Sequence, residues 1–110
     1  MIEVARRSRA TSSMKIREIR TLHFAVAPNV TFLELETDTG LVGLGETFYT
    51  PQSVTAYLRE VLAPQLRTID PLQIEAFWRR CYDASHVYGN RGLEMRCLSA
   101  VDIALWDILG

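Results

Sequence analysis

The 110-residue chain is 48% hydrophobic and 23% charged, the composition of a soluble globular sequence of at most one ordinary domain. Its length excludes a complete eight-stranded α/β barrel, which needs roughly 250 residues, and no apolar run approaches the roughly 20 residues of a membrane-spanning helix. Twelve basic residues against thirteen acidic ones leave a formal charge of -1, so no global basic field points to nucleic acid.

Residues 1–13 carry Arg6, Arg7 and Arg9 against Glu3 alone and end in the polar Thr11-Ser12-Ser13. They read as a disordered leader, or as residues upstream of a natural start at Met14. A targeting peptide would need an apolar core and a cleavage signature that this stretch lacks. Ile16 to Phe24 is ambiguous by spacing: Ile16, Ile19 and Leu22 recur every three residues, while Ile16, Leu22 and Phe24 share a strand face. A strand with a local irregularity is preferred, because the two segments that follow are strands in need of a partner. In Val30–Thr37, Thr31, Leu33, Leu35 and Thr37 alternate with Phe32, Glu34 and Glu36, the period of a half-buried strand. Asp38-Thr39-Gly40 supplies a reversal. Leu41 to Phe48 returns with Val42, Leu44, Glu46 and Phe48 on one face. Gly43 and Gly45 lie on the other, where missing side chains admit a close neighbour.

Helical spacing then takes over. Ser53 is a candidate N-cap for a helix with Val54, Tyr57, Leu58, Val61 and Leu62 in a stripe, which Pro64 is expected to stop or kink. Asp70-Pro71-Leu72-Gln73 has the pattern of a capped start with proline at the first helical position. Ile74, Phe77, Trp78 and Cys81 follow at helical spacing. From about Leu93 to Leu109, Leu98, Val101, Leu105, Ile108 and Leu109 form one stripe, and Ala100, Ile103, Ala104 and Trp106 add apolar surface around it. Such a helix needs neighbours on more than one side. Asp102 and Asp107 sit on it as charges that a domain of this size is not expected to satisfy. Three antiparallel strands followed by a small helical layer make an α+β fold.

Chemically informative patterns are few. His23 and His86 stand in no ligand spacing with Cys81 or Cys97, and the two cysteines read as buried, reduced thiols. Asp102 and Asp107 are about 140° apart around a helix, too far to converge readily on one magnesium ion. Gly89-Asn90-Arg91-Gly92 lacks the Gly-Lys-Ser/Thr ending of a phosphate loop and reads as a turn. Two loops remain: Ala25–Asn29 after the first strand, and Thr47–Pro51 after the third, whose Phe48 and Tyr49 either wall a ligand site or pack the core.

The run Met14-Lys15-Ile16 through Phe24, and then Leu33-Glu34-Leu35-Glu36-Thr37-Asp38-Thr39-Gly40-Leu41-Val42-Gly43-Leu44-Gly45-Glu46, resembles the opening meander of a known family. It is that of the mandelate racemase/muconate lactonizing branch of the enolase superfamily. The likeness continues through Leu62-Ala63-Pro64, Asp70-Pro71, Ile74-Glu75, Trp78 and Tyr88-Gly89 to Ser99-Ala100-Val101-Asp102-Ile103-Ala104-Leu105-Trp106-Asp107-Ile108-Leu109-Gly110. It implies an enolase N-terminal-domain-like capping domain over residues 14–96, with residues 97–110 leading into a (β/α) barrel absent from this chain.

By the same resemblance the whole enzyme is a cytoplasmic, magnesium-dependent homo-oligomer that abstracts the proton alpha to a substrate carboxylate. Its metal ligands and its base belong to the barrel, so no catalytic, cofactor-binding or metal-binding residue is expected in this chain. The cap contributes substrate-capping loops, and His23, Asn29, Phe48 and Tyr49 are the candidates. A sugar-acid dehydratase is the preferred parent over a racemase or cycloisomerase, and a standalone protein-interaction module is the rival class. A fragment, a split gene and a truncated gene model all fit the same residues, with the barrel as partner, a carboxylate or sugar acid as substrate, and neither nucleic acid nor membrane involved.

Overall fold

Alternation of large apolar and polar side chains at period two builds the first half of the molecule. The computed structural model describes residues 14–110; the expected leader, residues 1–13, lies outside the described residues. Strands β1 (Ile16–Phe24), β2 (Ala27–Thr37) and β3 (Val42–Phe48) form one antiparallel sheet in the order β1-β2-β3. Thr31, Leu33, Leu35 and Thr37 are all buried on one face of β2, beside Gly43, Gly45 and Thr47 of β3. The other face carries a charged strip: Arg20 bonds Glu34 and Glu36, and Arg17 bonds Glu36. The expected irregularity of β1 is present as a register shift between Ile16 and Glu18, where β1 carries the extra residue; a second shift, between Leu22 and Phe24, comes from extra residues in β2.

The hairpins are closed tightly. Gly40 takes φ 92° in the β2–β3 turn, a conformation that only glycine enters without a Cβ penalty. Thr37 reinforces that turn by accepting the Leu41 N–H on Oγ1 at 3.0 Å. The first hairpin is shorter than its sequence suggests. Only Ala25 and Val26 lie between the strands, so the expected Ala25–Asn29 loop is mostly strand. Pro28 has no N–H to give to β1, and residues 28–31 arch away from β1 as a bulge while Val30 and Thr31 pair with β3.

The helical half departs from expectation at its caps. Helix α1 (Pro51–Tyr57) begins before Ser53, with Thr50 as its N-cap residue. Pro51, with φ preset for a first turn, starts the helix, and the Val54 N–H bonds the Thr50 carbonyl at 3.0 Å. Pro64 does not stop the chain. A wide π-helical segment, Leu58–Leu62, precedes α2 (Ala63–Leu66), placing Pro64 in a first turn that needs no donor from it. Asp70 caps a turn rather than a helix. Its carboxylate takes the Leu72 N–H at 2.9 Å, the local competition to which Asp is prone, so α3 (Ile74–Ala84) starts beyond it with Gln73 as its cap residue.

Helix α4 (Leu93–Leu109) closes the core. Cys97, Leu98, Ala100, Val101, Ala104, Leu105 and Ile108 are buried against the sheet and the other helices. Glu94 holds its start: the carboxylate accepts the Arg91 and Gly92 N–H groups at 3.1 Å each. Burial alone would raise this carboxyl, yet bonds from the Glu94, Gly92 and Arg91 amides hold it below its ordinary range. Asp107, expected to lack a partner within the domain, has one, since it accepts the Leu44 N–H of edge strand β3 at 2.9 Å.

Candidate functional site

The four capping candidates gather at one end of the sheet, on two sides of it. The bulge at residues 28–31 brings the Asn29 carbonyl to the Tyr49 N–H at 2.7 Å, so the two loops are joined through their backbones. The Phe48 and Tyr49 rings meet edge to face with centroids 4.8 Å apart. They are 54% and 56% exposed, which excludes the core-packing reading and leaves them as surface walls. His23 points to the helix-covered side, where its Nε2 lies 3.2 Å from the hydroxyls of both Thr31 and Thr55.

Two clefts follow from this division. One, of about 480 Å³, opens between the first hairpin and α1 and is lined by His23, Pro28, Gln52, Thr55, Arg59 and Glu60 among others. The second, of about 390 Å³, runs beside β3 and the start of α4, with Phe48, Glu46, Thr47, Arg96 and Ser99 in its wall. Hydroxyl, imidazole, amide and guanidinium groups beside exposed rings suit contact with a polar, hydroxyl-bearing ligand.

The described residues supply no cluster for a metal ion and no activated thiol. Among them no three His, Cys, Asp or Glu side chains cluster to hold a metal ion. Burial raises the Cys81 thiol to about 11 and the Cys97 thiol to about 12, so both remain protonated. Each is buried and free of any disulfide.

Three participants were not singled out by sequence reasoning: Thr50, Thr55 and Arg96. Tyr49 and Thr50 both adopt left-handed conformations, φ 65° and 43°, and Arg96 Nη2 donates to Thr50 Oγ1 at 3.1 Å. Arg96 had a visible signal, being a cation in the first turn of a helix, where the positive end of the dipole disfavours it. The threonines had none.

Residues 2–110 match the family model described as "Mandelate racemase / muconate lactonizing enzyme, N-terminal domain". The chain is 41% identical over 98 residues to a D-mannonate dehydratase of Novosphingobium aromaticivorans, covering 86% of this chain and 24% of that protein. It thus spans about a quarter of that curated relative's length. Among solved structures, an enolase protein from the environmental genome shotgun sequencing of the Sargasso Sea superimposes with a TM-score of 0.81 at 36% identity, over 87% of this chain and 26% of that one. A racemase from Streptomyces coelicolor A3(2) with bound magnesium gives 0.76 at 29% identity, over 86% and 30%.

Proposed function

The chain belongs to the mandelate racemase/muconate lactonizing enzyme N-terminal domain family, and on that premise we propose that it is the substrate-capping portion of a magnesium-dependent, enolase-superfamily sugar-acid dehydratase. The observation that carries this reading is the joining of the two loops at one end of the sheet, with Phe48 and Tyr49 held outward beside Asn29 and with His23 on the adjoining cleft. Their work is to contact the substrate and exclude water from a reaction chamber built by the barrel. Among the described residues no three His, Cys, Asp or Glu side chains cluster to hold a metal ion, and this reading places the metal and the proton-abstracting base in the barrel, own or separately encoded. Dehydration is preferred because the similar Novosphingobium protein is a D-mannonate dehydratase. The likeness to the Streptomyces racemase supports racemisation as the second reading.

The barrel's seat on this chain is α4. Ile103 and Trp106 are 50% and 48% exposed; Asp102 shares a cleft with Trp106 and with Glu75, Trp78 and Arg79 of α3, and burial raises its carboxyl with no bonding partner among the described residues. Among those residues no helix is long and apolar enough to cross a membrane.

The reading is tested in a chimera in which residues 14–110 replace the matching region of the Novosphingobium dehydratase. Magnesium-dependent dehydration of a sugar acid is expected, and alanine at Phe48, Tyr49 or His23 raises KM by about tenfold per lost contact. Unchanged KM in all three variants, or magnesium binding by the 110-residue chain alone, would overturn the assignment.

A further inference from the structure

We propose that Arg96 is the positioning residue of the capping loop, a latch from α4 that holds Tyr49 and Thr50 in their left-handed conformations. The proposal rests on the reading of Phe48–Thr50 as a capping segment, and it names what sets that segment's shape.

The geometry is specific. Tyr49 at φ 65° and Thr50 at φ 43° are consecutive non-glycine residues in a region where side chains crowd the backbone. Such conformations persist only where the surroundings over-determine them. Three bonds do so here: the Tyr49 N–H to the Asn29 carbonyl, the Val54 N–H to the Thr50 carbonyl, and Arg96 Nη2 to Thr50 Oγ1. The first two tie the segment to its neighbours in the strand and in α1. Only the third reaches it from α4.

Arg96 is poorly explained by stability alone. Its Nε is buried with no hydrogen-bond partner among the described residues, an unfavourable state for a charged group's donor. It also stands at the positive end of α4, with Glu94 nearby as compensation. What this arrangement yields is the single bond to Thr50. Because α4 is also the proposed seat of the barrel, Arg96 links the loop that meets substrate to the helix that meets the barrel.

Amide hydrogen exchange on the 110-residue chain tests the latch without substrate or barrel. In Arg96→Ala, the Tyr49 and Val54 amides are expected to exchange about fivefold faster, the effect of one lost exposed hydrogen bond. The Leu33 and Leu35 amides at the sheet centre serve as controls and stay unchanged. Thr50→Val, which removes the acceptor and keeps the β-branched shape, should give the same increase, and the double variant should add nothing to either. Equal acceleration at loop and sheet centre would make Arg96 merely structural, and no acceleration at Tyr49 and Val54 would dismiss the latch. Either result leaves the capping reading to the KM measurements above, whose failure would in turn leave the exchange result standing.

Discussion

A methyl group on Gly45 would lie 2.1 Å from the carbonyl oxygen of Ala100, so β3 and α4 meet backbone to backbone. Gly43 repeats the contact one turn along, with its Cβ position 2.1 Å from the Ala104 carbonyl oxygen. The obstacle in both cases is helix backbone, which cannot swing aside as a side chain can. Gly45→Ala is therefore expected to destabilise the fold by about 3 kcal/mol or more. Gly40→Ala, where the Cβ meets nothing within 4 Å but φ is 92°, should cost only about 1–2 kcal/mol. Denaturant titrations of the two variants side by side check the ordering; equal losses would show that α4 can shift off the sheet freely.

The Asp107 carboxylate does two opposed things. It satisfies the Leu44 N–H on an otherwise open strand edge, and it places a negative charge at the C-terminal end of α4, where the dipole disfavours it. Asp107→Asn keeps an acceptor oxygen and removes the charge, so it should leave stability within about 0.5 kcal/mol. Asp107→Ala removes the acceptor and should cost about 1 kcal/mol, with faster exchange of the Leu44 amide. If the alanine variant were as stable as the asparagine one, the bond would contribute nothing.

The close approach at Gly43 and Gly45 was legible in the sequence because alternation along a strand reports its face directly. The second and third strands and α4 were legible from their periods and composition, whereas β1, ambiguous by spacing, was legible only because those two strands need a partner. The caps were not. Asp70 and Ser53 are good capping residues in isolation, but Asp70 closes its own turn on Leu72 and Pro51 starts α1 ahead of Ser53. Asp107 and Thr55 meet partners far away in the chain, Leu44 and His23, and no local pattern encodes such pairs. The end of the sheet could be named as a site from the resemblance, whereas its division into two clefts depends on which side of β1 and β3 His23 and Phe48 fall.

Two carboxylates on α4 should move stability with pH in opposite directions. Glu94 is held below its ordinary value of 4.5 by the amides it caps, against the opposing effect of burial. Its contribution is complete above the unfolded value and is lost as pH falls through the lower, folded one. Asp102 is raised above 3.8 by burial, so the folded state holds its proton more tightly and stability declines as pH rises through the interval above 3.8. Asp102→Asn should thus raise the melting temperature at neutral pH, with the gain disappearing once the pH falls below the unfolded carboxyl's range. Glu94→Gln should lower it at neutral pH and converge with the parent in acid. Melting curves across the acid range check both signs, and a pH-independent difference for either variant would remove that group from the linkage.

The two thiols report on opening of the core. Cys97 is buried between α4 and α1, its Sγ 3.7 Å from the Val54 carbonyl oxygen, and Cys81 lies on the buried face of α3 with Sγ 3.7 Å from Gln65 Oε1 of α2. Burial pushes the Cys81 thiol up to about 11 and the Cys97 thiol up to about 12 from an ordinary 9.0, so at about pH 8 each stays a thiol, and it is the thiolate that reacts. Iodoacetamide should therefore label neither until the chain opens. Cys97, reached when α4 parts from α1, should be labelled through global unfolding, and Gly45→Ala should accelerate that labelling as it lowers stability. Cys81, outside the sheet–α4 contact, should respond no more strongly than Cys97. Rapid labelling of Cys97 in the unperturbed chain, before any change in far-ultraviolet circular dichroism, would mean that α1 and α4 separate while the rest of the fold remains intact.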